Sequence, residues 1–291
     1  RRENTQCLDC HGTTTREGKV PIHKVRSVMT RSDGNINSLL TNFETDHTSP
    51  IKDRWGGWYV TGGAGEMQHM GNAFLEGEKL IPHVNDGVID LSVHFDTDRW
   101  LSPNSDIVAL MVLEHQVEMH NRFTRANYGV RRATYAADRD STGNVEDLEA
   151  VIDESAKLVV DYLLFSGEAR LDSPVTCSNT FTADFAAQGP FAGDGRSLRD
   201  FDLSTRLFRY PCSYLVYSSA FDSLEPDLLD RVYRRLWRVL TDEDRSESYS
   251  HLSGKDRSAI LKILRETKPG LPKYWINQTV TQGANARQEI E

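Results

Sequence analysis

The chain has 291 residues, of which 38% are hydrophobic and 26% charged, and a formal net charge of −9. That length allows one large domain or two closely packed ones. The acidic balance argues against a nucleic-acid partner, which needs clustered Lys and Arg, and suits docking of a basic protein; no apolar run approaches the roughly 18 residues of a membrane span.

The first motif in chain order is Cys7-Leu8-Asp9-Cys10-His11. At Cys-x-x-Cys-His spacing two thiols on one short turn reach the two vinyl groups of a single haem, and the next imidazole falls beneath the iron. The expected cofactor is therefore one covalently bound haem c, held by Cys7 and Cys10 with His11 as proximal iron ligand. A half zinc site of Cys7, Cys10, His11 and His23 is the rival. Against it, Cys177 and Cys212 are isolated and no second Cys-x-x-Cys follows. A Cys7–Cys10 disulfide is weaker again, because no strand-helix unit surrounds it. A single-haem carrier needs on the order of a hundred residues, so most of this chain serves something else. Haem is attached outside the bacterial cytoplasmic membrane. The chain opens at Arg1-Arg2-Glu3 with no signal peptide, so it reads as a trimmed piece of an exported periplasmic or extracellular protein, with room for further haem motifs upstream.

Residues 1–104 are expected to form an irregular haem-binding region. Val20-Pro21-Ile22-His23 should be a loop, and the stretch from 31 to 104, rich in Gly, Asp, Asn, Ser and Thr, reads as loops and short strands. Within it, Asp46-His47-Thr48-Ser49-Pro50 is either a turn or, with Arg54, a holder of haem propionates, Arg54 being the bidentate partner. Trp55-Gly56-Gly57-Trp58-Tyr59 sets aromatics between glycines that let backbone approach something flat, which makes Trp55 and Trp58 cofactor-binding candidates. Met70, in the loop Gln68-His69-Met70-Gly71-Asn72, is the favoured sixth iron ligand, with His69 and Met67 beside it. An ordinary gap-filling role for these methionines is the alternative.

Residues 105–275 are expected to be helical and packed on the haem region, with a polar tail over 276–291. Ser105 is placed to cap a helix carrying Ile107, Val108, Leu110, Met111, Leu113, Val117 and Phe123 at the 3.6 period. Met111, His115 and Met119 share one stripe of it, with Glu114 and Glu118 alongside and His120 off it. The stripe is either a plain buried face or a second haem-facing set, in which His115 acts as ligand or, with Glu114, as the acid-base pair of a peroxidase. Further helices are expected over Val145–Phe165 with Gly167 near the stop, Asp184–Ala187, Cys212–Phe221 after Pro211, Asp227–Leu240, and from Ser253, which has a capping pattern with Asp256. Cys177 and Cys212 are either a disulfide or two separate thiols.

The combination of CLDCHG, RWGGWYVTG followed by HMGN, EHQVEMHNRFTRANY, GRSLRDFDLSTRLFRYPCSYLVYSSAFD and KPGLPKYW, spanning Cys7 to Trp275, resembles the cytochrome c-like proteins of planctomycetes and related bacteria. The resemblance implies a secreted or periplasmic c-type haem protein and strengthens Cys7, Cys10 and His11 alone. It transfers no role to Met70 or His115.

The reading that follows is a mainly α c-type cytochrome with an irregular haem-binding N-terminal part on a larger helical part. Electron transfer is the leading function, with redox proteins, other haem proteins or further copies of the chain as partners. A haem peroxidase and a haem-stabilised sensor or structural subunit are the alternatives.

Overall fold

The structure, a computed structural model, describes residues 22–30, 42–77, 79–81, 90–93, 95–139 and 145–277. Cys7, Cys10, His11 and the 276–291 tail beyond residue 277 lie outside them. Among the described residues, seven α-helices and two small two-stranded antiparallel sheets make a largely helical protein. Among the described residues no helix is long and apolar enough to cross a membrane.

Strands β1 (Arg26–Val28) and β2 (Asn42–Glu44) pair antiparallel, with Ser27 opposite Phe43, and β3 (Phe74–Glu76) pairs antiparallel with β4 (Lys79–Ile81). Helix α1 (Ile107–Arg139) follows, 33 residues long, or about 50 Å at 1.5 Å per residue. It packs along α2 (Val145–Leu163). Next come α3 (Phe181–Ala186), α4 (Ser219–Asp222), α5 (Pro226–Leu240), α6 (Gly254–Thr267) and α7 (Lys273–Asn277). Helix α5 packs on both α2 and α6. Its apolar stripe, Leu228, Val232, Tyr233, Leu236, Trp237 and Leu240, is buried throughout, as a 3.6-residue period demands of a helix with two packed neighbours.

Three local expectations change. Asp106, not Ser105, caps α1: its Oδ1 accepts from the amides of Val108 and Ala109 at 2.9 and 3.1 Å. Oδ2 takes the Ser178 amide and hydroxyl at 2.5 and 2.9 Å, so one buried carboxylate satisfies helix donors and ties a distant loop to them. Helix α2 stops at Leu163 because Phe165 and Gly167 turn the chain at φ 58° and 77°. The expected 212–221 helix is a 3-10 turn, Tyr214–Tyr217, followed by α4; Ser218, extended at ψ 150°, separates them and caps α4 through the Phe221 amide. Cys177 and Cys212 are free thiols rather than a disulfide, and burial pushes the Cys212 thiol up to about 12.

The irregular part and the helices share one core. Ile51, Trp55, Val60 and Ala64 pack in the same buried cluster as the faces of α1, α2 and α5. The backbone of Thr61 donates to Ser105 and accepts from Ile107, both at 2.8 Å, while Gly63 exchanges two hydrogen bonds with Thr176. Gly62 between them sits at φ 99°, and a Cβ there would stand 2.7 Å from the Thr176 carbonyl and 2.9 Å from Ile107. Only glycine permits that close a junction. Packing therefore does not divide at residue 104.

Candidate functional site

Two constellations stand out: a buried polar network inside the core, and clefts on its surface. The loop 45–54 and the middle of α1 build the network. Arg54, 2% exposed, donates from Nη1 to Oε2 of the fully buried Glu114 at 2.9 Å. Its Nε and Nη2 donate to the carbonyls of Ser49 and His47 at 2.8 and 3.0 Å. Burial raises the Glu114 carboxyl above its ordinary value, and the neighbouring Arg54 guanidinium pulls it back. Arg54 is thus turned inward and spent on Glu114 and its own loop, which corrects its reading as a propionate partner.

Beside this ion pair, Nδ1 of His47 and Nδ1 of His115 are 2.9 Å apart, and Nε2 of His115 is 2.7 Å from the Ser213 hydroxyl. The two imidazoles lie near parallel to the rings of Tyr162 and Phe165: His47 is 3.9 Å from Tyr162 and His115 is 4.3 Å from Phe165, centroid to centroid. Burial lowers both histidines well below the usual imidazole value. Arg54 adds to the effect at His47, and His47 adds to it at His115. Both are neutral at neutral pH, so one Nδ1 donates and the other accepts. His115, Glu114 and Ser213 are fully buried. No substrate reaches such a group, and the His115 ring has no nitrogen left for iron or for a proton in transit. The geometry therefore corrects both the ligand and the peroxidase reading of His115 and Glu114. The Met111, His115, Met119 stripe is a buried face, and the network pins the 45–54 loop to α1 and to the Ser213 turn.

Among the other candidates, Trp55 is 1% exposed, in the core at φ 66°, with its ring edge-on to His69 at 5.2 Å. This corrects its reading as a cofactor wall. His69 is buried and its Nδ1 accepts from the Gly71 amide at 3.0 Å. Met70 is partly exposed, and its amide donates to the Arg54 carbonyl at 2.9 Å. His120 is partly buried, with His23 close enough to add to the lowering that burial causes. Among the described residues no group of three or more His, Cys, Asp or Glu is placed to hold a metal ion.

Of the described cofactor-binding candidates, Arg54, Trp55 and Trp58, Trp58 alone borders open space. It lines a cleft of about 580 Å³ with Tyr59, Phe95, Trp100 and Asn104. A second cleft of about 550 Å³ is lined by Phe165, Glu168, Arg170, Arg206 and His251. The Glu168 carboxyl accepts from the Leu207 amide at 2.9 Å, and burial pushes its pKa up to about 7. His251 Nε2 lies 2.7 Å from the Leu164 carbonyl; a carbonyl only accepts, so Nε2 carries the proton there. Neither cleft was legible as such in the sequence: Phe95 and Trp100 lie in a stretch without periodicity, and Glu168 meets His251 only through the fold. Compared with protein-family models, with characterised proteins and with solved structures, the chain matches none.

Proposed function

We propose that this protein is an exported c-type cytochrome that carries one electron at a time on a haem attached to Cys7 and Cys10, with His11 as proximal ligand. The observation that carries the reading is the Cys-x-x-Cys-His spacing at residues 7–11. Bound iron would cycle between its two oxidation states; the chain's own part is to hold the haem, set its surroundings and present its edge to a partner.

The described residues fit such a tether. The backbone of His23 and the side chain of Asn121 in mid-α1 exchange two hydrogen bonds, each 2.9 Å. Strand β1 is clamped to the Trp55–Trp58 loop: Val28 donates to the Gly56 carbonyl, and Trp58 Nε1 to the Arg26 carbonyl, both at 2.9 Å. His11 lies twelve residues before His23, at most about 40 Å of extended chain, so a haem at His11 would lie within that reach of the His23–Asn121 contact. Met70 remains the proposed sixth ligand, with His69 as the histidine alternative now that His115 is held by His47 and Ser213. The −9 charge suits a basic redox partner.

Voltammetry and optical spectra of the purified holoprotein test the reading. A reversible one-electron wave with a low-spin spectrum, and a rate of electron exchange with a basic redox protein that falls with salt, are expected. Absence of any one-electron couple would overturn it.

A further inference from the structure

The cleft beside Phe165 is built by three turns, each of which brings it a functional group. Glu168 follows Phe165 and Gly167, whose φ of 58° and 77° turn the chain out of α2. Thr205 and Arg206 stand on a turn tied by Asp202, whose Oδ1 accepts from the amides of Ser204 and Thr205 at 2.8 and 2.7 Å. His251 ends the third turn against the Leu164 carbonyl, and the Ser248 carbonyl accepts from the Ser166 hydroxyl at 2.7 Å.

Most of the side chains presented are donors. Arg170 is exposed and has no hydrogen bond or ion pair among the described residues. Arg206 gives one N–H to Asp256 Oδ1 at 3.0 Å and keeps both protons of Nη1. Glu168 is partly exposed, and its Oε1 accepts the Leu207 amide at 2.9 Å, so a proton on the carboxyl sits on Oε2 and makes it a further donor. Burial raises this carboxyl to about 7 against the pull of the Leu207 amide, Arg54 and Arg206, with Asp202 adding to the rise. Its charge therefore changes across the neutral range. Of the opposing charges, Asp256 is held by Arg206 and the Ser253 hydroxyl, and Glu247 is exposed, where solvent and salt screen it. His251 is lowered by burial and is neutral at neutral pH.

We propose that this cleft binds a small molecule bearing an oxyanion, a carboxylate, phosphate or sulfate group, and that Glu168 gates the site. Guanidinium groups donate to such an oxyanion in pairs; protonated Glu168 adds a hydrogen bond, and its ionised form repels the ligand. A cationic ligand would meet Arg170 and Arg206, and an apolar one would strip water from both guanidiniums without replacing it. The site lies outside electron transfer and does not depend on it.

The test is an NMR titration of the isotope-labelled full chain with sodium sulfate at pH 6 and pH 8, at constant ionic strength, read from the amides of Thr205 and Ser250. Sulfate stays a dianion across that range, so any pH dependence belongs to the protein. Saturable shifts are expected, with an affinity about tenfold higher at pH 6, because the protonated share of Glu168 falls from about nine-tenths to about one-tenth between the two. Glu168→Gln, a permanent donor, should bind equally at both pH values. Arg170→Ala should weaken binding by about tenfold, and His251→Asn should leave the pH dependence as it is. The proposal fails if the shifts do not saturate at pH 6, or if Arg170→Ala binds as the wild type does. It fails equally if the pH dependence survives in Glu168→Gln or vanishes in His251→Asn. None of these results touches the haem reading, which the one-electron couple decides.

Discussion

Lowering the pH from 7.5 to 5.5 should expose the buried histidine pair as a stability term, once one opposing group is removed. His47 and His115 have folded-state values well below 6.5. In that window the unfolded chain takes up protons at both positions while the folded chain does not, so stability falls as the pH falls. For an unfolded value of about 6.5, the two histidines together contribute a loss of up to about 3 kcal/mol. Glu168 works the other way. Its folded value is about 7 against 4.5, so the folded state gains a proton on the way down and stability rises by about 2 kcal/mol. The wild type should therefore lose less than Glu168→Gln, which mimics the protonated acid, lacks the opposing gain of about 2 kcal/mol and should lose roughly 2 to 3 kcal/mol. His120 and His251, both lowered, act in the same direction as the pair. Urea titrations of both proteins at the two pH values measure this. A Glu168→Gln variant as stable at pH 5.5 as at pH 7.5 would refute the neutral, buried imidazole pair.

Four further outcomes follow from the same geometry. Glu114→Gln and Arg54→Ala each break a buried ion pair, 2.9 Å long, and should each cost about 3 to 5 kcal/mol in urea unfolding. Ser213→Ala removes the only protein partner of His115 Nε2 among the described residues and should cost about 1 to 3 kcal/mol while leaving the haem spectrum unchanged. Gly57→Ala meets the Val28 carbonyl at 2.4 Å, so amide exchange in β1 should quicken relative to α5, where it should not change. Met70→Ala should turn a low-spin iron high-spin and lower its potential; an unchanged spectrum there, with the change in His69→Ala instead, would move the ligand to histidine.

What was legible in the sequence depended on locality. The α5 stripe and the Ser253–Asp256 capping box were readable because their determinants lie within one or two turns, and both are present. Helix α1 was readable too, yet its cap fell on the neighbouring residue: Ser105 and Asp106 are equally good cap types, and the backbone of Thr61 pairs with Ser105 and Ile107 on either side of Asp106. The polar network was not readable. Arg54 and Glu114 are 60 residues apart and His47 and His115 are 68 apart, so each looked like an available functional group until packing paired them. The aromatic cleft had half its signal in the Trp-Gly-Gly-Trp-Tyr run, while its other wall comes from a segment with no period to read.

The central claim is covalent haem at the Cys-x-x-Cys-His turn, and extraction of the denatured protein with acidified organic solvent tests it most directly. The account predicts that iron and the haem chromophore stay with the polypeptide, and that Cys7→Ala together with Cys10→Ala releases them. Haem that partitions into the solvent from the unsubstituted chain, or stoichiometric zinc in its place, would contradict it.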